Sequence, residues 1–218
     1  MEPEIKPVVG GYMLLDLFIK GGPIMVLLLL CSCVAGYIII ERYWFLKEQA
    51  LDVRVILIEI KKDLLKLGKE KAIRKLKTRR TCIGRVVSES IKHSHLERNI
   101  FRDTIKEISI SEIERLEKNI PFLTAIITIS PILGLMGTVL GIMDIFNVIS
   151  GGYIGNPELL SKGIAEALIT TVTGLGITIP CILLYHYFRN RVDMIVMGME
   201  QCAYTITLFI QGNDSIKE

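Results

Sequence analysis

Two threonines and a glutamate stand where a strongly apolar sequence has little use for them. Thr138 lies in the middle of SPILGLMGTVLGIMDIF (residues 130–146), and Thr171 follows Glu166 by five residues in GIAEALITTVTGLGITIP (residues 163–180). A threonine hydroxyl donates and accepts hydrogen bonds without carrying charge. In a low-dielectric interior it can hold a water or a carboxyl group that leucine would leave unpartnered. Glu166 and Asp144 each stand near one end of an apolar run. An ionisable group at mid-membrane costs about 2.5–3.5 kcal/mol on insertion scales, so such residues ask for a function. The chemistry these types suggest is ion passage. No nucleophile–base pair, Gly-rich phosphate loop or metal-ligand spacing occurs, so neither an enzyme nor a bound cofactor is expected.

On a helical wheel, Ala167, Thr171, Gly174, Thr178, Cys181 and Tyr185 form one stripe of small or polar residues. Leu168, Leu175, Ile179 and Ile182 lie opposite and suit lipid. The stripe should therefore face a protein neighbour or water. Thr170 and Thr173 add hydroxyls beside it. Gly134, Gly137, Gly141 and Gly174 suit close packing of transmembrane helices, and threonines bonded one turn back fit the same reading. Glu166, adjoining the stripe, shifts the balance towards an ion path lined by Thr138, Thr171, Glu166, Thr178 and Thr170. Asp144 suits either a pore mouth or simple contact with interfacial water.

Three helices must position these groups. Half of the 218 residues are apolar, and they gather into uncharged runs at Pro23–Ile40 (18 residues), Pro121–Met143 (23) and Ala167–Phe188 (22). A helix crosses a bilayer with about 20 mainly apolar residues. The first run meets that length if it starts near Leu17 and Lys20 snorkels to the interface. No basic stretch precedes it, and Leu30 stands where a lipoprotein box places a small residue, so a span is expected rather than a cleaved signal.

Of the 26 Lys and Arg residues, 20 fall between Arg42 and Lys118. Positive residues near span ends stay in the cytoplasm. The expected layout is an outer segment 1–20, spans at 21–41, 120–147 and 164–188, an inner helical loop 42–119, an outer loop 148–163 and an inner C-terminal helix and tail 189–218. The basic loop is explained by topology and carries 13 acids between residues 41 and 119, so no nucleic-acid partner is expected. Apolar residues recur at helical spacing through VRVILIEIKKDLLKLGKEKAIRKLK and through Ile105, Ile108, Ile113, Leu116 and Ile120. The second of these predicts one long helix running unbroken into the second span. Val192, Ile195, Val196, Met199, Ala203, Ile206 and Ile210 extend the third span in the same way. Pro131 and Pro180 lie inside spans and free the carbonyls of Ile127 and Gly176. The five cysteines show no disulfide or metal pattern, and His93 and His95 read as a solvated helix face.

The two quoted stretches, in this order and topology, resemble the paired signature of the MotA/TolQ/ExbB proton channel family, closest to its ExbB/TolQ branch. The resemblance covers essentially the whole chain, although the inner loop has no distinctive motif. It implies an all-α membrane protein with three transmembrane helices, two of them extended into a cytoplasmic helical bundle. It further implies a pentameric ring around a central pore in the inner membrane of Gram-negative bacteria. Two single-span helices of an ExbD/TolR-like partner would sit in that pore, each carrying a protonatable aspartate. The resemblance places Thr138, Thr171 and Glu166 at the family's threonine and glutamate positions. The assembly would use the proton-motive force to drive a TonB- or TolA-like protein. Two departures from the branch pattern, Asp144 for a neutral amide and Thr170 for alanine, make the path more polar and keep Na+ coupling in play beside H+. A non-conducting membrane scaffold and a self-sufficient homo-oligomeric channel are the other readings. The second lacks a mid-span acid of its own.

Overall fold

The computed structural model describes residues 21–49, 53–78, 81–151 and 157–214. Residues 1–20, 50–52, 79–80, 152–156 and the last four lie outside the described residues. Every element among the described residues is helical: α1 (Ile24–Gln49), α2 (Val53–Leu67), α3 (Lys69–Thr78), α4 (Cys82–Lys92), α5 (Arg98–Glu117), α6 (Ile120–Ser150) and α7 (Pro157–Asp214). Among the described residues, three stretches are long and apolar enough to cross a membrane: Ile24–Gln49, Ile120–Asn147 and Gly163–Gly212. Helices α6 and α7 run through Pro131 and Pro180 without a break.

The chain divides into two compact units. The first comprises Met1–Ile39 and Pro121–Tyr185, the second Ile40–Ile120 and His186–Glu218. In the first, Ile24, Met25 and Leu28 of α1 form a small core against Leu133 of α6 and Ile169 and Ile177 of α7. Leu168, Leu175, Ile179 and Leu183 of α7, with Ile132, Leu135 and Val139 of α6, stay exposed. Large apolar side chains left outward along candidate spans fit a hydrocarbon surround.

In the second unit, most of the stripe expected beyond the third span is core: Val192, Ile195, Met199, Ala203, Ile206 and Ile210 are buried, and Val196 is half-buried. Ile56, Ile60, Ile83, Val86, Val87, Ile105 and Leu116 of the same unit are buried as well. Residues 53–78 are helical, as their spacing predicts, but in two pieces, and one expectation of continuity is corrected further along the chain. The run from Val53 is divided at Gly68, whose φ of +79° is a left-handed conformation that glycine adopts without steric cost. The helix expected to run unbroken into the second span is instead interrupted at Lys118 and Asn119. Lys118 is extended (φ −48°, ψ 136°) and Asn119 is left-handed (φ 68°). Asparagine tolerates that region better than most side chains, and Pro121 sits in the first turn of α6, where its missing N–H costs nothing.

The break is held from a distance in sequence. Arg42, only 3% exposed, donates from Nη1 to the carbonyls of Arg115 (3.2 Å) and Leu116 (3.4 Å), which end α5. Its other nitrogens pair with Glu41, whose carboxylate also accepts from Asn119 Nδ2 at 3.2 Å. A helix leaves its last carbonyls unpartnered, and this guanidinium fills that need. Arg42→Met should therefore lower unfolding stability by about 2 kcal/mol, because the carbonyls lose a charged donor in a dry place. A denaturant titration of the purified protein reads this directly. An unchanged midpoint would mean that the carbonyls have another donor.

The cysteines are all free. Burial, with the nearby Glu112 carboxylate adding to it, pushes the Cys82 thiol up to about 11. His93 and His95 bond to backbone carbonyls of Glu89 (2.9 Å) and Lys92 (3.0 Å) at the end of α4.

Candidate functional site

The polar residues singled out by the sequence gather where α6 and α7 meet. The glycines bring the two backbones close. A Cβ placed on Gly134 would stand 3.0 Å from the Thr170 carbonyl and 3.1 Å from Thr171 Cα. One on Gly141 would stand 2.9 Å from the Gly163 carbonyl and 3.0 Å from Ala167 Cβ. One on Gly174 would stand 2.6 Å from the Ser130 carbonyl. The pairs 130 with 174, 134 with 170 and 171, and 141 with 163 and 167 run in opposite directions, so the helices are antiparallel. This is the small-residue packing expected of Gly134, Gly137, Gly141 and Gly174.

The hydroxyls divide into two groups. Thr170 is fully buried in the seam. Its Oγ1 lies 2.9 Å from the Ala167 carbonyl, 3.2 Å from that of Glu166 and 3.4 Å from that of Gly134. Thr178 is also buried and donates to the Gly174 carbonyl at 2.9 Å. In this single chain, both residues meet protein and present no open surface. The stripe through Ala167, Gly174, Thr178 and Cys181 therefore meets a protein neighbour, which was one of its two expected surroundings.

Thr171 and Thr138 are half-buried and retain an accessible side. Thr171 Oγ1 donates across the seam to the Gly134 carbonyl at 3.1 Å. Thr138 Oγ1 donates to the Leu135 carbonyl at 2.6 Å. In a regular helix the amide of residue 138 also points at the carbonyl of residue 134, so the two threonines converge on one backbone group. Ser130, which begins the motif, is fully buried, and its hydroxyl has no partner. Its unpartnered state depends on the packing of α7 and could not be read from spacing.

Glu166 is half-buried near the start of α7, and its carboxyl lies against Gly22, in the turn that precedes α1. Asp144 is exposed on α6. Among the described residues, no group of three or more His, Cys, Asp or Glu could hold a metal ion.

The arrangement can bind water or a carboxyl group along Thr138 and Thr171 and can supply an acid at Glu166. Residues 78–201, which include both threonines and the glutamate, match the model of the MotA/TolQ/ExbB proton channel family. The chain is 27% identical over 218 residues to a putative biopolymer transport protein ExbB homolog of Methanothermobacter thermautotrophicus, covering 96% of this chain and 77% of that one. It is 31% identical over 207 residues to the Tol-Pal system protein TolQ of Haemophilus influenzae, covering 86% and 87%. Over 93 residues it is 41% identical to the biopolymer transport protein ExbB of Salmonella typhimurium, covering 43% and 38%. With that match over more than half its length and these relatives, the chain belongs to the MotA/TolQ/ExbB proton channel family, in its ExbB/TolQ branch.

Proposed function

We propose that this chain is the ring-forming subunit of an ExbB/TolQ-type motor. It assembles as a pentamer in the bacterial inner membrane around a central pore. The N-terminus faces the periplasm, and the C-terminus and basic loop 42–119 face the cytoplasm. The asymmetry of Lys and Arg supports that orientation. Single-span ExbD/TolR-like helices, two per ring, occupy the pore and supply the protonatable aspartates. Protons moving down the membrane potential drive a TonB- or TolA-like protein. One charge crossing 100 mV releases about 2.3 kcal/mol, enough to shift helices between alternative packings.

The observation that supports this most is that Thr138 and Thr171 are both half-buried with an accessible side, Thr138 bonded within α6 to the Leu135 carbonyl and Thr171 bonded across the seam to the Gly134 carbonyl. A structural hydroxyl has no need of an accessible side, but one that receives a partner's carboxyl or a water does. Thr138→Val and Thr171→Val keep the shape and remove the hydroxyl. In vesicles holding the ring and its partner, each should cut proton flux about tenfold, the equivalent of one charge-assisted hydrogen bond. Assembly should be retained. Wild-type flux in both variants would reject the assignment and favour the non-conducting scaffold. The same assay at fixed potential with sodium withdrawn separates H+ from Na+ coupling. Co-expression with a short single-span protein bearing an aspartate in its span, followed by purification in a fixed ratio, tests the partner.

A further inference from the structure

Glu166 is held from two directions within the first unit. Its backbone carbonyl accepts from Thr170 Oγ1 at 3.2 Å, and Thr170 also reaches the Gly134 carbonyl of α6. Its side chain ends on the turn before α1. A Cβ added to Gly22 would overlap Glu166 Oε1 and would stand 2.9 Å from Cδ and 3.7 Å from Cγ. The carboxyl therefore fills the space that a side chain at position 22 would need. Gly22 has a second reason to be glycine, a φ of +65°. The turn is tied into the helix start, since Met25 donates to the Gly22 carbonyl at 3.1 Å and Val26 to that of Pro23 at 3.2 Å. The core of Ile24, Met25 and Leu28 against Leu133, Ile169 and Ile177 fixes this register, and Ile169 lies one turn beyond Glu166.

We propose that Gly22 is a positioning residue. It forms an open seat in the first span's leading turn that fixes the Glu166 carboxyl in place. Its value to the motor rests on the reading of Glu166 as part of the ion path, but the seat itself does not. In this arrangement the first span, which contributes no polar group of its own to the path, decides where the acid stands. Any side chain at position 22 expels the carboxyl, even where the backbone is tolerated.

The test separates backbone strain from displacement. Gly22→Asn accepts the left-handed backbone far better than Gly22→Ala, yet still carries a Cβ. In membranes containing the full chain, Glu166 is labelled with a hydrophobic carbodiimide and quantified by mass spectrometry, with the exposed Asp144 as internal reference. Gly22→Asn should raise the Glu166 labelling rate several-fold relative to Asp144. The loss of apparent Tm caused by Gly22→Asn should be present with Glu166 and largely vanish with Glu166→Asp, whose shorter side chain vacates the seat. An unchanged labelling ratio, or an equal Tm loss in both backgrounds, overturns the proposal. Glu166→Gln keeps the side chain's shape in the seat. Wild-type proton flux in that variant would reject the ion-path role of Glu166, while the labelling and Tm comparisons would still decide the seat.

Discussion

Gly137→Ala is expected to destabilise the protein by about 1–3 kcal/mol, and Gly137→Leu to abolish the packed arrangement of α6 and α7, because the site has no room for even one methyl. A Cβ at position 137 would collide with Thr170 Oγ1 and come within 2.6 Å of Thr170 Cβ and 2.9 Å of its Cγ2. Thr170 cannot easily yield. It is β-branched on a helix, which restricts χ1, and its hydroxyl is surrounded by the carbonyls of Glu166, Ala167 and Gly134. The two backbones would have to separate, and the contacts at Gly134, Gly141 and Gly174 would loosen with them. Thermal melts and size-exclusion profiles in detergent measure the loss. Thr170→Gly removes all three obstructing atoms, so the double variant should regain most of the stability lost in Gly137→Ala, less about 1 kcal/mol for glycine within a helix. Failure of that rescue would place the obstruction elsewhere.

Glu112→Ala should cost about 3 kcal/mol, the lower end for removing one member of a buried ion pair. The Glu112 side chain is 8% exposed and pairs with Arg85, whose side chain is 26% exposed and so retains some contact with water. Arg85 also donates to Cys82 Sγ at 3.4 Å, and the Cys82 amide donates to Gln49 Oε1 at 2.9 Å. The carboxylate thus anchors a short polar chain within the second unit. Burial pushes the Glu112 carboxyl upward, but hydrogen bonds from Arg85 and the guanidinium charge outweigh it, and the net shift is below the ordinary value of 4.5. The folded state therefore binds fewer protons here than the unfolded state. This stabilisation is fully present above about pH 4.5 and is lost as pH falls through the depressed folded value. Glu112→Gln should flatten the acid limb of a stability–pH curve. An unchanged acid limb would assign that limb to other carboxylates.

The three apolar runs and both polar motifs were legible because a bilayer imposes length and composition on any sequence that crosses it. The register between helices was not. Thr170 and Thr171 are adjacent in sequence and both reach the Gly134 carbonyl, yet one is sealed in the seam and the other keeps an open side. A helical wheel for α7 alone cannot make that distinction, since it depends on where α6 crosses. The break at Asn119 was hidden for the same reason. Its stabilising donor, Arg42, lies 73 residues from one of the carbonyls it serves. The contact of Glu166 with Gly22 likewise joins positions that no local pattern connects.

The direction of the threonine bonds has a consequence of its own. A hydroxyl has one proton, and Thr138 and Thr171 both aim theirs at backbone oxygens, those of Leu135 and Gly134. Only lone pairs are left to meet a visitor. Such a surface welcomes water or a neutral –COOH and repels a bare –COO⁻. To greet an anion, each hydroxyl must turn away from its carbonyl. Two side-chain rotations would thus separate a neutral acid brought against these hydroxyls from its anion.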